Sequence, residues 1–209
     1  RKVTELDPKN ADKQLGYVQF LAGQGNGEKA EAALKTFIEQ NPDAGKLRLA
    51  LGQLYETTER PAEALKVYAA LGERAPKSPE GLAARNRVAA IDIRGGKTED
   101  GRAMLEKILV DAPDEPSALL LRSGLRFSEN KFDDAIADLR LVLRKEPDND
   151  RALLLLAQAY VRQNELALDR VDSACGRIAN KRGDDADWMP VRAFCYALAG
   201  DFDPAAALD

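Results

Sequence analysis

Histidine is absent from the 209 residues of this chain. Its absence removes the side chain that most often serves as a general base and as a metal ligand. The two cysteines, Cys175 and Cys195, are too few to form a four-thiolate zinc site by themselves. Because the sequence also has no nucleophile elbow and no metal-binding cluster, we expect no catalytic residues, no metal site and no cofactor.

Signals for phosphate, nucleic acid and membrane are also missing. Gly95-Gly96 follows no strand pattern and precedes no Gly-Lys-Ser/Thr, so this pair is not a phosphate-binding loop. The net charge of −4 and the pI near 5.2 argue against nucleic-acid binding, since neutralising phosphates requires a basic surface. No apolar run approaches the roughly 20 residues of a membrane-spanning helix. We therefore expect no membrane insertion in this segment.

What the sequence does contain is a regular spacing of prolines. Their successive separations are 34, 34, 37 and 34 residues, at Pro8, Pro42, Pro76, Pro113 and Pro147. A period of roughly 20–50 residues indicates an array of similar supersecondary units. Each unit buries its apolar face against its neighbours, because no unit can bury it alone.

Small and apolar residues recur in the same register. A small residue stands twelve positions before a proline and a large apolar one eight positions before it, in the pairs Ala30 and Leu34, Ala64 and Tyr68, Gly101 and Leu105, and Ala135 and Leu139. Upstream in each unit lies a second amphipathic run, clearest where Leu51-Gly52 precedes Tyr55 and Leu156-Ala157 precedes Tyr160. Each unit is therefore predicted to be a helix, a tight turn, a second helix and a proline turn.

This pattern resembles the tetratricopeptide repeat (TPR), and the resemblance covers the whole chain. It implies an all-α, right-handed superhelical solenoid of antiparallel helix hairpins, with about five full repeats in one domain over 1–209. The predicted parts are a remnant helix at 1–10, repeats at 11–44, 45–78, 79–115, 116–149 and 150–185, and a partial unit at 186–209. The helix-like ends suggest a fragment of a longer, bacterial-type array. HEAT and armadillo units are too long, and RNA-binding pentatricopeptide arrays fit the acidic pI and closing prolines poorly.

The third, fourth and fifth repeats depart from the pattern, and the fifth has no closing proline and is two residues longer than the regular unit. The third carries three extra residues, which we place at Ser78-Pro79-Glu80 before its first helix, and has Asp92 where the family has tyrosine. The fourth has Arg126 at the tyrosine position. Cys175 and Cys195 fall on consecutive predicted helices. They are either two small buried residues or a disulfide formed in an oxidising compartment.

The resemblance implies that the first helix of each pair lines a concave groove, and such grooves bind extended peptides or single helices. Carried over residue by residue, the predicted partner-binding positions are Gln19, Lys46, Gln53, Glu56, Asn86, Arg94, Phe127, Arg151, Gln158 and Arg162. The first helices carry eleven basic and seven acidic residues, a balance of +4. Because arginine suits carboxylates, an acidic or C-terminal peptide partner is one expectation. The alternative is that these charges form ion pairs among the helices.

These observations favour a protein–protein interaction scaffold without catalytic activity. The lysine and asparagine clamp that binds chaperone tails is missing, because Leu15 and Gln19 stand at its first-repeat positions. A second reading is a periplasmic or lipoprotein component of a bacterial envelope, exopolysaccharide or surface-protein export assembly. A third is a cytoplasmic regulator that sequesters a partner helix. The sequence leaves the compartment open between the cytoplasm and the periplasm or envelope of a bacterium.

Overall fold

The computed structural model describes residues 10–163, and over this range the chain is α-helical with short turns. The helices, in chain order, are α1 (Ala11–Gly23), α2 (Gly27–Gln40), α3 (Gly45–Thr57), α4 (Pro61–Arg74), α5 (Pro79–Arg94), α6 (Thr98–Asp111), α7 (Pro116–Ser128), α8 (Phe132–Lys145) and α9 (Asp150–Arg162). The predicted fold class, an all-α helical-repeat solenoid, is confirmed. The predictions for the remnant helix, for Cys175 and Cys195, and for the partial last unit lie outside the described residues.

The chain divides into two compact units, Arg1–Ala112 and Pro113–Asp209. In the first unit each helix from α1 to α5 packs against the next one, and α3 also contacts both α1 and α5. In the second unit α8 packs against α7 and α9, and α9 contacts α7. Odd-numbered helices are the first helices of the predicted pairs, so first helices lie side by side within each unit.

The turns inside the helix pairs repeat one backbone feature. Each turn places one residue in the left-handed region, at Gly25, Glu59, Gly96 and Asn130, with φ between 57° and 82°. These positions are separated by 34, 37 and 34 residues, so the backbone follows the same spacing as the prolines. Glycine and asparagine tolerate this conformation readily, whereas glutamate does so at a cost.

The position predicted for the three extra residues of the third repeat is wrong. Pro79 and Glu80 form the first turn of α5, which has 16 residues where α3 has 13. The Oγ of Ser78 accepts a hydrogen bond of 3.0 Å from the N–H of Gly81 and so caps the helix. Proline at the first helical position loses no hydrogen bond, so the insertion lengthens α5 by about one turn.

The predicted pairs of small and large residues lie in the core. Ala64 and Tyr68 are completely buried, as are their counterparts in the other repeats, namely Ala30, Leu34, Leu105, Ala135 and Leu139. Leu51, Tyr55, Leu156 and Tyr160 are also buried. Since fully burying one large apolar side chain stabilises a protein by about 1.5–3 kcal/mol, each of the large repeated residues contributes substantially to the stability of its unit.

A buried ion cluster replaces the family tyrosine in the fourth repeat. Asp138 on α8 is 3% exposed and accepts two hydrogen bonds from Arg122, at 2.9 and 2.8 Å. Arg126, at the tyrosine position, donates to the same carboxylate at 2.6 Å. The two arginines are four residues apart on α7 and therefore project from one face. They join α7 to α8 through charge-assisted hydrogen bonds.

Candidate partner-binding face

A strip of side chains crosses α1, α3 and α5 in the first unit, and we call it the first-helix face. Its members are spaced three or four residues apart on each helix, which places them on one side; they are Asp12, Leu15 and Gln19, then Lys46, Leu49, Gln53 and Glu56, then Asn86, Ala90 and Arg94. Lys46 Nζ lies 2.8 Å from Asp12 Oδ1, and Arg94 Nη2 lies 3.0 Å from Glu56 Oε2. The structure thus brings six predicted residues, Gln19, Lys46, Gln53, Glu56, Asn86 and Arg94, onto three adjacent helices.

Glu56 is the most constrained polar side chain of this face. Its side chain is 15% exposed, and Tyr68 donates its hydroxyl to Glu56 Oε1 at 2.8 Å. Arg94 binds the other carboxylate oxygen, and Arg87 Nη1 lies 3.7 Å from Oε1. Burial, together with the hydrogen bond to Glu56, raises the pKa of Tyr68 above its usual range. Glu56 therefore links the buried core to the exposed edge of α5.

The middle of the face combines exposed amides with apolar surface. Gln19 and Gln53 are exposed, whereas Leu15 and Leu49 are half-buried and pack on the core. Asn86 is only 6% exposed. An amide both donates and accepts hydrogen bonds, so Gln19 and Gln53 can bind the N–H and C=O groups of a peptide backbone.

The four predicted residues of the second unit lie on α7 and α9. Phe127 is half-buried and packs edge-on against Phe132, with 5.4 Å between ring centroids. Arg151 and Arg162 are exposed at opposite ends of α9, and Gln158 is half-buried between them. Their spacing of seven and four residues places all three α9 side chains on one side of that helix.

The basic charge counted in the sequence is largely engaged within the protein. Arg87 and Arg94 lie against Glu56, and Arg122 and Arg126 against Asp138. Arg85 is buried and donates to Asp111 at 2.7 Å, which lowers the pKa of that carboxyl. The acidic partners come mostly from other helices, and sequence reasoning missed Asp111 and Asp138. The sequence does hold one sign of a buried acidic partner such as Asp138, namely two arginines four residues apart on the otherwise apolar α7.

A cleft of about 600 Å³ opens beside Glu56 and Arg94. The α3–α4 turn and the start of α4 form one side of the cleft, and the end of α5 forms the other side. Its wall is mainly apolar, with Leu65 and Ile91, and Asp92 and Lys97 contribute charges. Sequence reasoning noted Asp92 as a departure from the family pattern but did not predict a cleft.

The described residues contain neither a cluster suited to a metal ion nor a helix suited to crossing a membrane. Within residues 10–163, no group of three or more acidic or cysteine side chains is arranged to hold a metal ion. None of the helices in that range is long and apolar enough to cross a membrane.

Two models of the tetratricopeptide repeat match the chain, one over residues 20–79 and the other over residues 126–167. A curated relative is DnaJ homolog subfamily C member 3 of Mus musculus, 27% identical over 187 residues that cover 83% of this chain and 35% of the relative. Another is the cytochrome c-type biogenesis protein CycH of Pseudomonas aeruginosa, 27% identical over 136 residues, which cover 64% of this chain and 33% of CycH. The chain thus spans about a third of the length of these relatives.

Solved structures with this fold include a tetratricopeptide repeat protein from Parabacteroides merdae. It superposes with a TM-score of 0.65 at 20% identity, covering 94% of this chain and 75% of that one. YrrB, described as a TPR protein with an unusual peptide-binding site, superposes with a TM-score of 0.55 at 17% identity, covering 86% and 92%. At these identities the likeness concerns the fold.

Proposed function

Because this chain is a tetratricopeptide-repeat protein, we propose that it is a non-catalytic scaffold that binds a peptide or a helix of a partner protein on the first-helix face. The observation that carries this proposal is the position of Gln19 and Gln53. Both amides are exposed on adjacent helices; Lys46 pairs with Asp12 between α3 and α1, and Arg94 pairs with Glu56 between α5 and α3. The repeat boundaries stay as predicted from the sequence. A partner-binding role also stays a prediction for four residues of the second unit, namely Phe127, Arg151, Gln158 and Arg162.

The ion pairs prepare the face for binding. The ion pairs of Lys46 with Asp12 and of Arg94 with Glu56 restrict the movement of these four side chains before a partner binds. Side chains that are already ordered lose less conformational entropy on binding, and this favours affinity. A bound peptide would place its backbone between these pairs, against the amides of Gln19 and Gln53 and the apolar surface of Leu15 and Leu49.

The charge expected of the partner depends on which basic groups the internal ion pairs leave available. Arg94 uses one N–H group for Glu56, and its side chain remains 67% exposed. Arginine has five N–H donors in a planar arrangement suited to carboxylates. We therefore propose that the partner places one carboxylate close to Arg94. A long acidic stretch in the partner is not expected, because Arg85 and Arg87 are already engaged by Asp111 and Glu56.

A second candidate role is a component of bacterial envelope assembly. The specific support is the similarity to a cytochrome c-type biogenesis protein over 136 residues. In this version the same face would hold a segment of an envelope or exported protein. Locating the protein encoded by the complete gene in cell fractions distinguishes the two versions, since only the envelope role requires transport out of the cytoplasm.

The proposed function is tested by selecting peptides and mapping where they bind. A random-peptide display library is panned against the folded 209-residue chain, and one selected peptide is titrated while backbone amide shifts are recorded by NMR. The proposal predicts perturbations concentrated in α1, α3 and α5. A library that yields no binder, or perturbations concentrated in α2, α4 and α6, would contradict it.

A further inference from the structure

An aromatic ring closes the junction between α2 and α3. Tyr55 is 5% exposed and donates its hydroxyl to Glu31 Oε1 at 3.0 Å. The guanidinium carbon of Arg60 lies 4.4 Å from the centre of the ring. The ring is thus covered by a cation from the following turn and anchored by an acceptor on the preceding helix, an arrangement that stabilises a buried tyrosine.

One repeat later, the same three positions line the cleft between α4 and α5. Leu65 follows Glu31 by 34 residues, and Asp92 and Lys97 follow Tyr55 and Arg60 by 37 residues, the separation that includes the three extra residues. All three contribute to the wall of the 600 Å³ cleft. The structure therefore has an open cleft where the preceding repeat holds its tyrosine ring.

We propose that this cleft takes a tyrosine side chain from the peptide that binds the first-helix face. The proposal rests on the proposed function and adds the chemical character of one partner residue. Glu56 and Arg94 belong both to the face and to the rim of the cleft, so a peptide lying on the face passes the cleft opening. The volume of the cleft lies within the range of about 300–1,000 Å³ that is typical of ligand sites.

The polar groups of the cleft distinguish tyrosine from other side chains. The carboxylate of Asp92 has no ion pair or hydrogen bond to a side chain within residues 10–163 and can accept a hydroxyl hydrogen bond. Lys97 supplies a cation at the position of Arg60, and Leu65 and Ile91 supply apolar surface. Phenylalanine would displace water from Asp92 without replacing its hydrogen bond, which costs affinity. A lysine or arginine would meet the positive charges of Lys97 and Arg94 as well as the carboxylates of Asp92 and Glu59, and it would place no ring against the apolar wall.

A small probe tests the cleft independently of any peptide. N-acetyl-L-tyrosinamide is titrated into the 209-residue chain, with the corresponding phenylalanine and arginine amides as comparators, and backbone amide shifts are followed by NMR. We expect saturable shifts in residues 61–65 and 91–97, with the tyrosine amide binding most tightly and the arginine amide least. Absence of saturable shifts there, or tighter binding of the arginine amide, would overturn the proposal.

A substitution that fills the cleft provides a second test of the proposal. Asp92→Tyr places in the chain the ring that the preceding repeat has at Tyr55, so we expect a higher Tm. The same variant should bind the tyrosine amide at least about tenfold more weakly, the factor that burial of one apolar side chain supplies. Asp92→Asn leaves the cleft open and keeps a hydrogen-bond acceptor, so this variant should lose less affinity for the tyrosine amide than Asp92→Tyr does. Undiminished binding to folded Asp92→Tyr would overturn the proposal.

A third variant keeps the test decisive if Asp92→Tyr does not fold. Lys97 is exposed at the start of α6, and Lys97→Glu removes the cation while leaving the packing intact. This variant should bind the tyrosine amide several-fold more weakly, and unchanged binding would count against the proposal. The failures are distinguishable: peptides that bind the face with no preference for tyrosine contradict only the cleft, whereas tyrosine-amide binding without any peptide binder contradicts only the face.

Discussion

The ring of Tyr68 lies so close to Gly52 that a β-carbon added at Gly52 would stand 2.3 Å from Tyr68 Cε1. The same ring is completely buried, and its hydroxyl binds Glu56 at 2.8 Å. The close approach of α3 and α4 therefore fixes the core and also the acidic side chain at the edge of the first-helix face. A small residue at position 52 is thus required for packing and contributes indirectly to the proposed site.

Gly52→Ala should destabilise the protein by about 1–3 kcal/mol, because the added methyl group overpacks the helix crossing. The control is Gly16→Ala on α1, where an added β-carbon has no heavy atom within 4 Å. Alanine is the better helix former, so the control should be stabilised by about 0.5–1 kcal/mol. Urea denaturation of both variants measures the difference, and equal effects would contradict the assigned crossing.

Ala64→Leu tests the register of the second repeat. Ala64 is 0% exposed at the start of α4, so a larger side chain should cost about 1–3 kcal/mol of unfolding free energy. Ala70→Leu, at an exposed position of the same helix, should change stability by no more than about 0.5 kcal/mol. A neutral Ala64→Leu variant in the same denaturation assay would show that the register is misassigned.

Asp138→Asn tests the charged replacement of the aromatic position. Removing this carboxylate leaves Arg122 and Arg126 without their buried counter-charge, and we expect a loss of about 3 kcal/mol. Asp114→Asn removes a carboxylate that pairs with Lys145 on the surface at 2.6 Å and should cost less than about 1 kcal/mol. If thermal and urea unfolding give the two variants similar losses, the ion cluster does not hold α7 against α8.

Glu31 should give the first unit a dependence on pH. Arg60 Nη1 lies 2.6 Å from Glu31 Oε2 and Lys35 Nζ lies 2.7 Å from Oε1. These bonds, that from Arg60 foremost, lower the pKa of Glu31 from 4.5 to about 2. A carboxyl whose pKa is lower in the folded state stabilises the protein above its unfolded pKa and loses that contribution as the pH falls.

Glu31→Gln should therefore be less stable than the parent chain at pH 7. The difference should shrink between pH 4.5 and about 2, where the parent's own carboxylate becomes protonated, because that is the interval between the two pKa values. Urea denaturation at four pH values across this interval measures it. A difference that stays constant down to pH 2 would show that the ion pairs of Glu31 do not contribute in this way.

The parts of this fold that the sequence predicts are those that recur. The pair of a small and a large residue, as in Ala64 and Tyr68, appears in four repeats, so one unclear copy does not conceal the register. Proline at the first position of α4, α5 and α7 is another feature that recurs in the structure. These features act within a few residues of each other, where helical periodicity fixes which side chains share a face.

The parts that the sequence did not predict occur once each. Asp138 pairs with arginines 12 and 16 residues away, and Glu56 pairs with Arg94 across 38 residues. Such pairs depend on how two particular helices cross, which no repeated pattern records. The cleft beside Asp92 has the same origin, since it depends on one missing ring and on the lengthened helix α5.

The dissociation constant of a selected peptide, measured for two matched double variants, shows whether the first-helix face binds the partner. Gln19→Arg with Gln53→Arg changes the first-helix face, whereas Gln24→Arg with Gln40→Arg makes the same substitutions at exposed positions after α1 and at the end of α2. We expect at least about tenfold weaker binding for the first variant, equivalent to about 1.4 kcal/mol, and unchanged binding for the second. Equal dissociation constants for the two variants would contradict the assignment of this face as the partner-binding surface.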